Sequence, residues 1–215
     1  IRPKDALRHP KWKMGKKISV DSSTLMNKMF EVIEAQRIFN LNKKFFEILI
    51  HPKSYLHSII KYKNGTSKLL IHDTTMKIPI FNYVCRDLKH KLNTNKINFN
   101  VLNNLELQKP INKQFPLLKM LNRIPENISL FETILISAND ELVENFLNGN
   151  IKFNQIHKIL FKIVNLKEFK KFKYKKPKNL EQIIKLNKYV RWKTLNQLIV
   201  YIMIRFFINI FFIII

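Results

Sequence analysis

The sequence predicts an α+β fold, in which a long helix and a small, mostly antiparallel sheet are followed by a C-terminal helical, bundle-like domain. Three observations predict it. Thr24 to Phe39 runs without Gly or Pro and sorts its apolar and polar residues onto two faces. Asn64-Gly65 sits between two short apolar-rich runs, as a hairpin turn does. Beyond Phe115 the chain becomes a series of apolar, helix-patterned stretches separated by Pro125, Asn148-Gly149 and Lys175-Lys176-Pro177.

Taken in order, Arg2 to Lys17 is polar and basic, broken by Pro3, Pro10 and Gly15, and reads as loop. Asp21-Ser22-Ser23 offers N-cap side chains to the helix Thr24–Phe39. Leu25, Met29, Val32, Ile33 and Gln36 form one face of that helix, and Thr24, Asn27, Lys28, Glu31 and Glu34 another. Phe45–Ile50, His57–Tyr62 and Lys68–His72 are the short apolar runs expected to build the sheet. Arg86 to Gln114 alternates Lys, Asn and isolated apolar residues and reads as a connection with little regular structure. Leu117–Arg123, Leu130–Leu147, Phe153–Leu166 and Leu180–Leu198 are the helices of the bundle, the second ending where Asn148-Gly149 supplies a left-handed residue. The expected segments are therefore 1–85, 86–114, 115–197 and a hydrophobic tail, 198–215.

Composition narrows the function. The 215 residues carry 39 Lys plus Arg against 15 Asp plus Glu, a net charge of +24, and 46% are hydrophobic. That supports a core and excludes wholesale disorder. The single cysteine, Cys85, excludes a disulfide framework or a Cys-rich zinc module. Gly15, Gly65 and Gly149 lie too far apart for a Gly-rich nucleotide-phosphate loop. The charge fits a polyanionic partner, which makes a basic nucleic-acid-binding protein the alternative reading, or a Lys-rich surface. Lys167 to Lys178 carries seven Lys interleaved with Phe and Tyr, imitates a nucleic-acid stripe and reads as a solvated connection. His51, His57 and His72 lack Cys or carboxylate partners at ligand spacing and read as structural. The tail from Leu198 spans 18 residues with Arg205 near its centre, at a cost of about 2.5–3.5 kcal/mol on an insertion scale. It reads first as a terminal artefact or frame-shifted extension, with a membrane-associated segment and a helix packed on the bundle as the other readings.

Chemistry concentrates between His9 and Glu34. Asn27 and Glu31 are four residues apart and Lys28 and Glu31 three, so they share a helical face. Ser22 and Ser23, placed at the helix N-terminus, would add hydroxyls where free N–H groups favour an anion. A hydroxyl, a carboxamide and an ammonium together can hold a phosphate, and Glu31, one turn deeper, can bind a divalent cation. The Gly-containing loop bearing Trp12 and Met14 can act as a lid. The same residues also admit a plainer reading: Ser22 as an N-cap, Lys28–Glu31 as a surface ion pair, Trp12 and Met14 as core.

The residues themselves carry a resemblance. His9-Pro-x-Trp-x-Met-Gly, Lys17-Ile-Ser-Val-Asp-Ser-x-Thr-Leu-Met-Asn-Lys28 and Glu31-x-Ile-Glu-Ala35 resemble the 1-deoxy-D-xylulose 5-phosphate reductoisomerase family. The likeness continues through Ile50-His51-Pro52-Lys-Ser54, His57-Ser58, Asn64-Gly65 and Met76-Lys-Ile-Pro79-Ile, and more weakly through Gln114-Phe-Pro-Leu-Leu-Lys119 and Ile136-Ser-Ala-Asn139-Asp-Glu141. It implies conversion of 1-deoxy-D-xylulose 5-phosphate, with NADPH and Mg²⁺ or Mn²⁺, to 2-C-methyl-D-erythritol 4-phosphate in non-mevalonate isoprenoid biosynthesis. By matching position, His9, Ser22, Asn27 and Lys28 would contact the phosphosugar. Glu31 would be the catalytic metal ligand that also touches it. Gly15 would lie against the cofactor, and Trp12 and Met14 would belong to a flap spanning about 8–17.

The resemblance also implies that 1–85 is a portion of the catalytic domain. The complete enzyme would be a homodimer through its sheet, with no nucleic-acid or membrane partner. It would work in a bacterial cytoplasm or a plastid-type organelle. The family carries a nucleotide-binding domain and two further carboxylate ligands ahead of this region. The chain, which opens at Ile1 without an initiator Met or a signal-peptide pattern, is therefore expected to be a C-terminal portion, inactive alone. Met29 stands where the family has glycine, adding bulk beside Lys28.

Overall fold

The computed structural model describes residues 1–8, 14–85 and 90–211, with side chains as far as Tyr201. In chain order the elements are α1 (Pro3–Ala6), α2 (Lys16–Ser23), α3 (Met26–Phe39), β1 (Leu56–Lys61), β2 (Ser67–Ile71), α4 (Lys77–Val84), α5 (Phe99–Asn103), α6 (Leu130–Leu147), α7 (Phe153–Val164), α8 (Lys167–Lys170) and α9 (Leu180–Phe211), with 3₁₀ turns at Lys43–Phe45 and Pro116–Arg123. The described residues form two compact units: 1–8, 15–46 and 112–211 make one, and 14, 47–85 and 90–111 the other.

The first unit is built around α6, which packs on α7 and α9. Its start is capped on both sides: the Ser129 hydroxyl accepts from the Phe131 N–H (3.2 Å) and the Glu132 carboxylate from the Ser129 N–H (2.9 Å). It stops at Asn148, where Gly149 takes φ +81° and Asn150 N–H returns to the Asn145 carbonyl. Between these signals Leu130, Ile134, Leu135, Ala138 and Leu142 are buried at helical spacing. On α7, Ile156, Ile159, Leu160 and Ile163 repeat the pattern, and on α9 Leu186, Val190, Thr194 and Leu198 are buried every fourth residue.

Val20 of α2 and Met26, Met29 and Ile33 of α3 complete this core. Arg37 ties the end of α3 to the segment before α6: its guanidinium donates to the carbonyls of Pro125, Glu126 and Asn127 and pairs with Glu132. Five donors in a rigid fork suit such a multiple anchor. Met29 is fully buried, so its bulk is taken up inside the core rather than beside the Lys28 ammonium.

The second unit centres on the antiparallel hairpin β1–β2, with Leu56 opposite Ile71, Ile59 opposite Leu69 and an irregularity between Leu56 and Ser58. Asn64-Gly65 turns it, Gly65 adopting φ +89°. Ile50 and Gln108 form an isolated antiparallel bridge. The Tyr55 hydroxyl accepts from Asn98 N–H at 3.1 Å, next to the start of α5. Pro79 falls in the first turn of α4, where a missing N–H costs little.

The α+β class and the helix-rich C-terminal region stand as the sequence implies, while several elements differ. Residues 2–17 are not all loop: α1 and the start of α2 lie there. Asp21-Ser22-Ser23 closes α2 instead of opening the next helix, which starts two residues late, at Met26. The reason is tertiary, since Ser19, Val20 and Asp21 are buried and α2 packs on α6. Phe45–Ile50 is no strand beyond the single bridge at Ile50. The stretch Pro116–Arg123 is 3₁₀ rather than α, and 99–103 within the expected connection is helical. The helix that begins at Leu180 runs on to Phe211, so the backbone of the expected tail continues α9. Residues 212–215 of that tail lie outside the described residues, and among the described residues no helix is long and apolar enough to cross a membrane.

Candidate functional site

The joint between α2 and α3 lies between Ser22 on one side and Asn27, Lys28 and Glu31 on the other. Gly15 is the N-cap of α2 (φ −61°, ψ 155°), and a Cβ there would meet nothing within 4 Å, so its backbone is open to approach. Met14, just before it, is half-buried. His9 and Trp12 lie outside the described residues. Ser22 sits in the last turn of α2 and Asn27 and Lys28 in the first turn of α3, with Glu31 one turn further. Ser22 is therefore not at a helix N-terminus, and the exposed amides belong to α3. The first bond closing that helix runs from Met29 N–H to the Leu25 carbonyl (3.2 Å), which leaves the Asn27 and Lys28 amides without intrahelical acceptors.

Three side chains converge on the solvent face of α3. The Lys28 ammonium donates to both Glu31 oxygens, at 2.9 Å to Oε1 and 2.8 Å to Oε2. The Asn27 amide donates to Oε1 at 2.9 Å. Lys28 and Glu31 are close to half exposed, so the pair alone contributes a few tenths of a kcal/mol, on the order of 0.3–0.5. Its interest is chemical: an ammonium and a carboxamide meet at one carboxylate, one turn from the start of a helix whose first amides have no intrahelical acceptor. One carboxylate is too few for a hard divalent cation, which takes about six or more oxygens. Among the described residues no group of three or more His, Cys, Asp and Glu could hold a metal. Glu31 fits as one ligand of such an ion and no more.

The joint itself is held in an uncommon conformation. Leu25 has φ +59°, a left-handed backbone that costs a non-glycine residue about 1–2 kcal/mol. Thr24 supports it, its hydroxyl donating to the Asp21 carbonyl (3.1 Å), and the Leu25 N–H returns to the Ser22 carbonyl at 3.2 Å.

Beneath the joint lies a polar network that spacing within the His9–Glu34 stretch does not reveal. The buried Asp21 carboxylate pairs with Lys17 at 2.6 Å and accepts from the Asn139 amide at 2.9 Å. Lys17 also pairs with Asp140 (2.9 Å), and Asp140 with Arg191 of α9 (2.9 Å). Burial pushes the Asp21 carboxyl above its ordinary value, against the opposing pull of Lys17 and Asn139. Lys17 is pushed up instead: desolvation works against its charge, but the bonds and charges of Asp21 and Asp140 outweigh it. Its ammonium also lies 5.1 Å from the Phe30 ring centre. The available signal was Asn139-Asp140-Glu141, three consecutive polar residues that interrupt the apolar spacing of α6.

Elsewhere, the His57 and His72 rings stack at 3.6 Å, and the His57 ring nitrogen lies 3.1 Å from the His72 carbonyl.

Comparison with known proteins adds the following. Residues 72–193 match the family profile described as the DXP reductoisomerase C-terminal domain, and residues 1–39 that of the 1-deoxy-D-xylulose 5-phosphate reductoisomerase C-terminal domain. The protein of that name from Pelagibacter ubique (strain HTCC1062) is 58% identical over 193 residues, covering 90% of this chain and 50% of the relative. Its counterpart from Sulfurihydrogenibium sp. (strain YO3AOP1) is 37% identical over 196 residues, 91% of this chain and 50% of the relative. Among solved structures, a DOX-P reductoisomerase in complex with NADPH, fosmidomycin and magnesium superposes with a TM-score of 0.82 at 28% identity, over 92% of this chain and 50% of that one. The Zymomonas mobilis enzyme in complex with NADPH superposes with a TM-score of 0.79 at 28% identity, with the same coverage. The chain thus spans about half the length of the curated relatives it matches.

Proposed function

The chain belongs to the 1-deoxy-D-xylulose 5-phosphate reductoisomerase family, and from that premise we propose that it supplies the phosphosugar-binding half of such an enzyme. The reaction is the NADPH-dependent conversion of 1-deoxy-D-xylulose 5-phosphate to 2-C-methyl-D-erythritol 4-phosphate in isoprenoid biosynthesis. The observation that carries this reading is the cluster of Asn27, Lys28 and Glu31 at the start of α3, with Ser22 in the last turn of the helix before it.

In this reading Lys28 and Asn27 bind phosphate or hydroxyl oxygens, adding charge-assisted bonds to those they now make with Glu31. The Ser22 hydroxyl, for which no partner is found among the described residues, supplies another donor. Glu31 keeps its carboxylate oriented by the two donors it already has, available as one ligand of a Mg²⁺ or Mn²⁺ ion. The remaining ligands are not among the described residues, so this 215-residue stretch alone is not expected to turn over. NADPH supplies the hydride when bound; the role left to this chain is open backbone at Gly15 against which it can lie. His9, Trp12 and Met14 complete the substrate contact and the flap that excludes water.

Homodimerisation through the hairpin is supported by the apolar residues it exposes, Ile59, Ile60, Leu69 and Leu70. The bacterial relatives support a bacterial cytoplasm, with a plastid-type organelle as the other setting. We take the Lys-rich charge as surface and assign no nucleic-acid or membrane partner.

The test is steady-state kinetics of the complete enzyme. Lys28→Met should raise KM for the phosphosugar roughly 10- to 100-fold, the equivalent of about 1.5–3 kcal/mol for a bond to a charged group. Glu31→Gln should lower kcat and raise the cation concentration required. Unchanged KM in Lys28→Met contradicts the assignment.

A further inference from the structure

We propose that the network of Lys17, Asp21, Asn139 and Asp140, buried at Asp21 and Asn139, is a positioning device, which sets the α2–α3 joint so that Ser22 and Lys28 face one ligand. The inference rests on the phosphosugar reading of that joint and adds residues to it.

Ser22 and Lys28 stand on different helices. Whether their donors meet the same oxyanion depends on the angle at which α2 gives way to α3, and that angle passes through Leu25 at φ +59°. A left-handed leucine persists only where its surroundings over-determine it. Local bonds from Thr24 and Ser22 hold the turn, and its outer anchor is Asp21, directly before Ser22. The Asp21 carboxylate is fixed by Lys17 from its own helix and by Asn139 from α6.

Two features mark this anchor as more than packing. Asn139 is fully buried in the middle of α6, where an apolar residue would serve the core, and its amide oxygen has no hydrogen-bond partner among the described residues. A buried amide with half its capacity unused has a cost that the single bond to Asp21 must offset. Second, Lys17 is shared between Asp21 and Asp140, and Asp140 is held in turn by Arg191. The joint is thereby referenced to α6 and α9, which pack on each other in the core. None of the network residues needs to touch the substrate; each acts through the placement of Ser22 and Lys28.

The experiment is titration of the 215-residue chain with inorganic phosphate, followed by amide chemical shifts and compared with each variant's melting temperature. Wild type should show saturable shifts at Ser22, Asn27 and Lys28. Asn139→Leu, and the partly exposed Asp140→Asn in case the first variant fails to fold, should weaken phosphate binding about tenfold or more, as expected for misplaced donors. Leu142→Ala, which damages the same helix outside the network, should melt lower yet bind within about twofold of wild type when folded. Wild-type affinity in both network variants, or an equal loss in Leu142→Ala, overturns the proposal. Lys28→Met separates the two levels. If it abolishes binding while the network variants bind normally, only the positioning role fails. If it binds normally, the phosphate site fails and the positioning role with it.

Discussion

The two units of this chain bury their apolar residues to very different degrees. In the unit of 15–46 and 112–211, long helices place whole rows of Leu, Ile, Val, Met and Phe out of contact with water. Among the described residues of 47–111, Tyr55 is the one buried apolar side chain, while Ile59, Ile60, Leu69, Leu70, Ile80 and Val84 are exposed. Helices of 12 and 18 residues pack a continuous stripe, whereas an isolated two-stranded hairpin is marginal in water without a covering surface. The contrast teaches that the helical unit carries its own stability. The hairpin unit leaves its apolar side chains open to water, and the proposed homodimer would cover them.

The sharpest way to break this contrast is paired truncation. Leu142→Ala, in a fully buried position, should cost about 2–5 kcal/mol in denaturant unfolding. Ile60→Ala, on the exposed hairpin, should stay within about 0.5 kcal/mol in the isolated chain. Equal losses would refute the distinction. The next largest effect concerns caps. Ser129→Ala removes the cap of α6 and should cost about 0.5–2 kcal/mol by thermal melting. Asn98→Ala at α5, a helix of five residues, should barely shift the global transition.

The smallest effect is in pH. Burial, with help from the neighbouring lysines, holds His157 of α7 and His51 of the hairpin unit below the ordinary histidine value. A lowered histidine is harder to protonate folded than unfolded. Its contribution is present above about 6.5 and is lost as pH falls through the folded value. Asp21 and Glu141, raised chiefly by burial, act oppositely: their contribution is complete below the ordinary carboxylate values and is lost as pH rises through the raised ones. The denaturant midpoint of His157→Gln should therefore fall less than that of wild type between pH 7.5 and 5.5. His51→Gln should leave the midpoint of the helical transition unchanged.

What could be read in advance follows from where the information lies. Helix α6 was legible because its start and stop are written locally, by Ser129 with Glu132 and by Asn148-Gly149, and its apolar spacing is regular. Helix α2 was not. Gly15 reads as loop and Asp21-Ser22-Ser23 as an N-cap, and only burial of Val20 and Asp21 against α6 settles the matter. A left-handed Leu25 has no local signature, since neither Gly nor Asn marks it. The candidate site divides in the same way. Asn27, Lys28 and Glu31 meet because of spacing on one helix, whereas Asp21 and Asn139 are 118 residues apart in sequence. Only the packed fold brings them together.

The central claim is that this chain provides the phosphosugar site of a reductoisomerase, and its most direct test is turnover by the complete polypeptide that contains it. Supplied with 1-deoxy-D-xylulose 5-phosphate, NADPH and Mg²⁺, that protein should oxidise one NADPH per 2-C-methyl-D-erythritol 4-phosphate formed, and Lys28→Met should require far more substrate to do so. No phosphosugar-dependent NADPH oxidation at any Mg²⁺ or Mn²⁺ concentration would contradict the account.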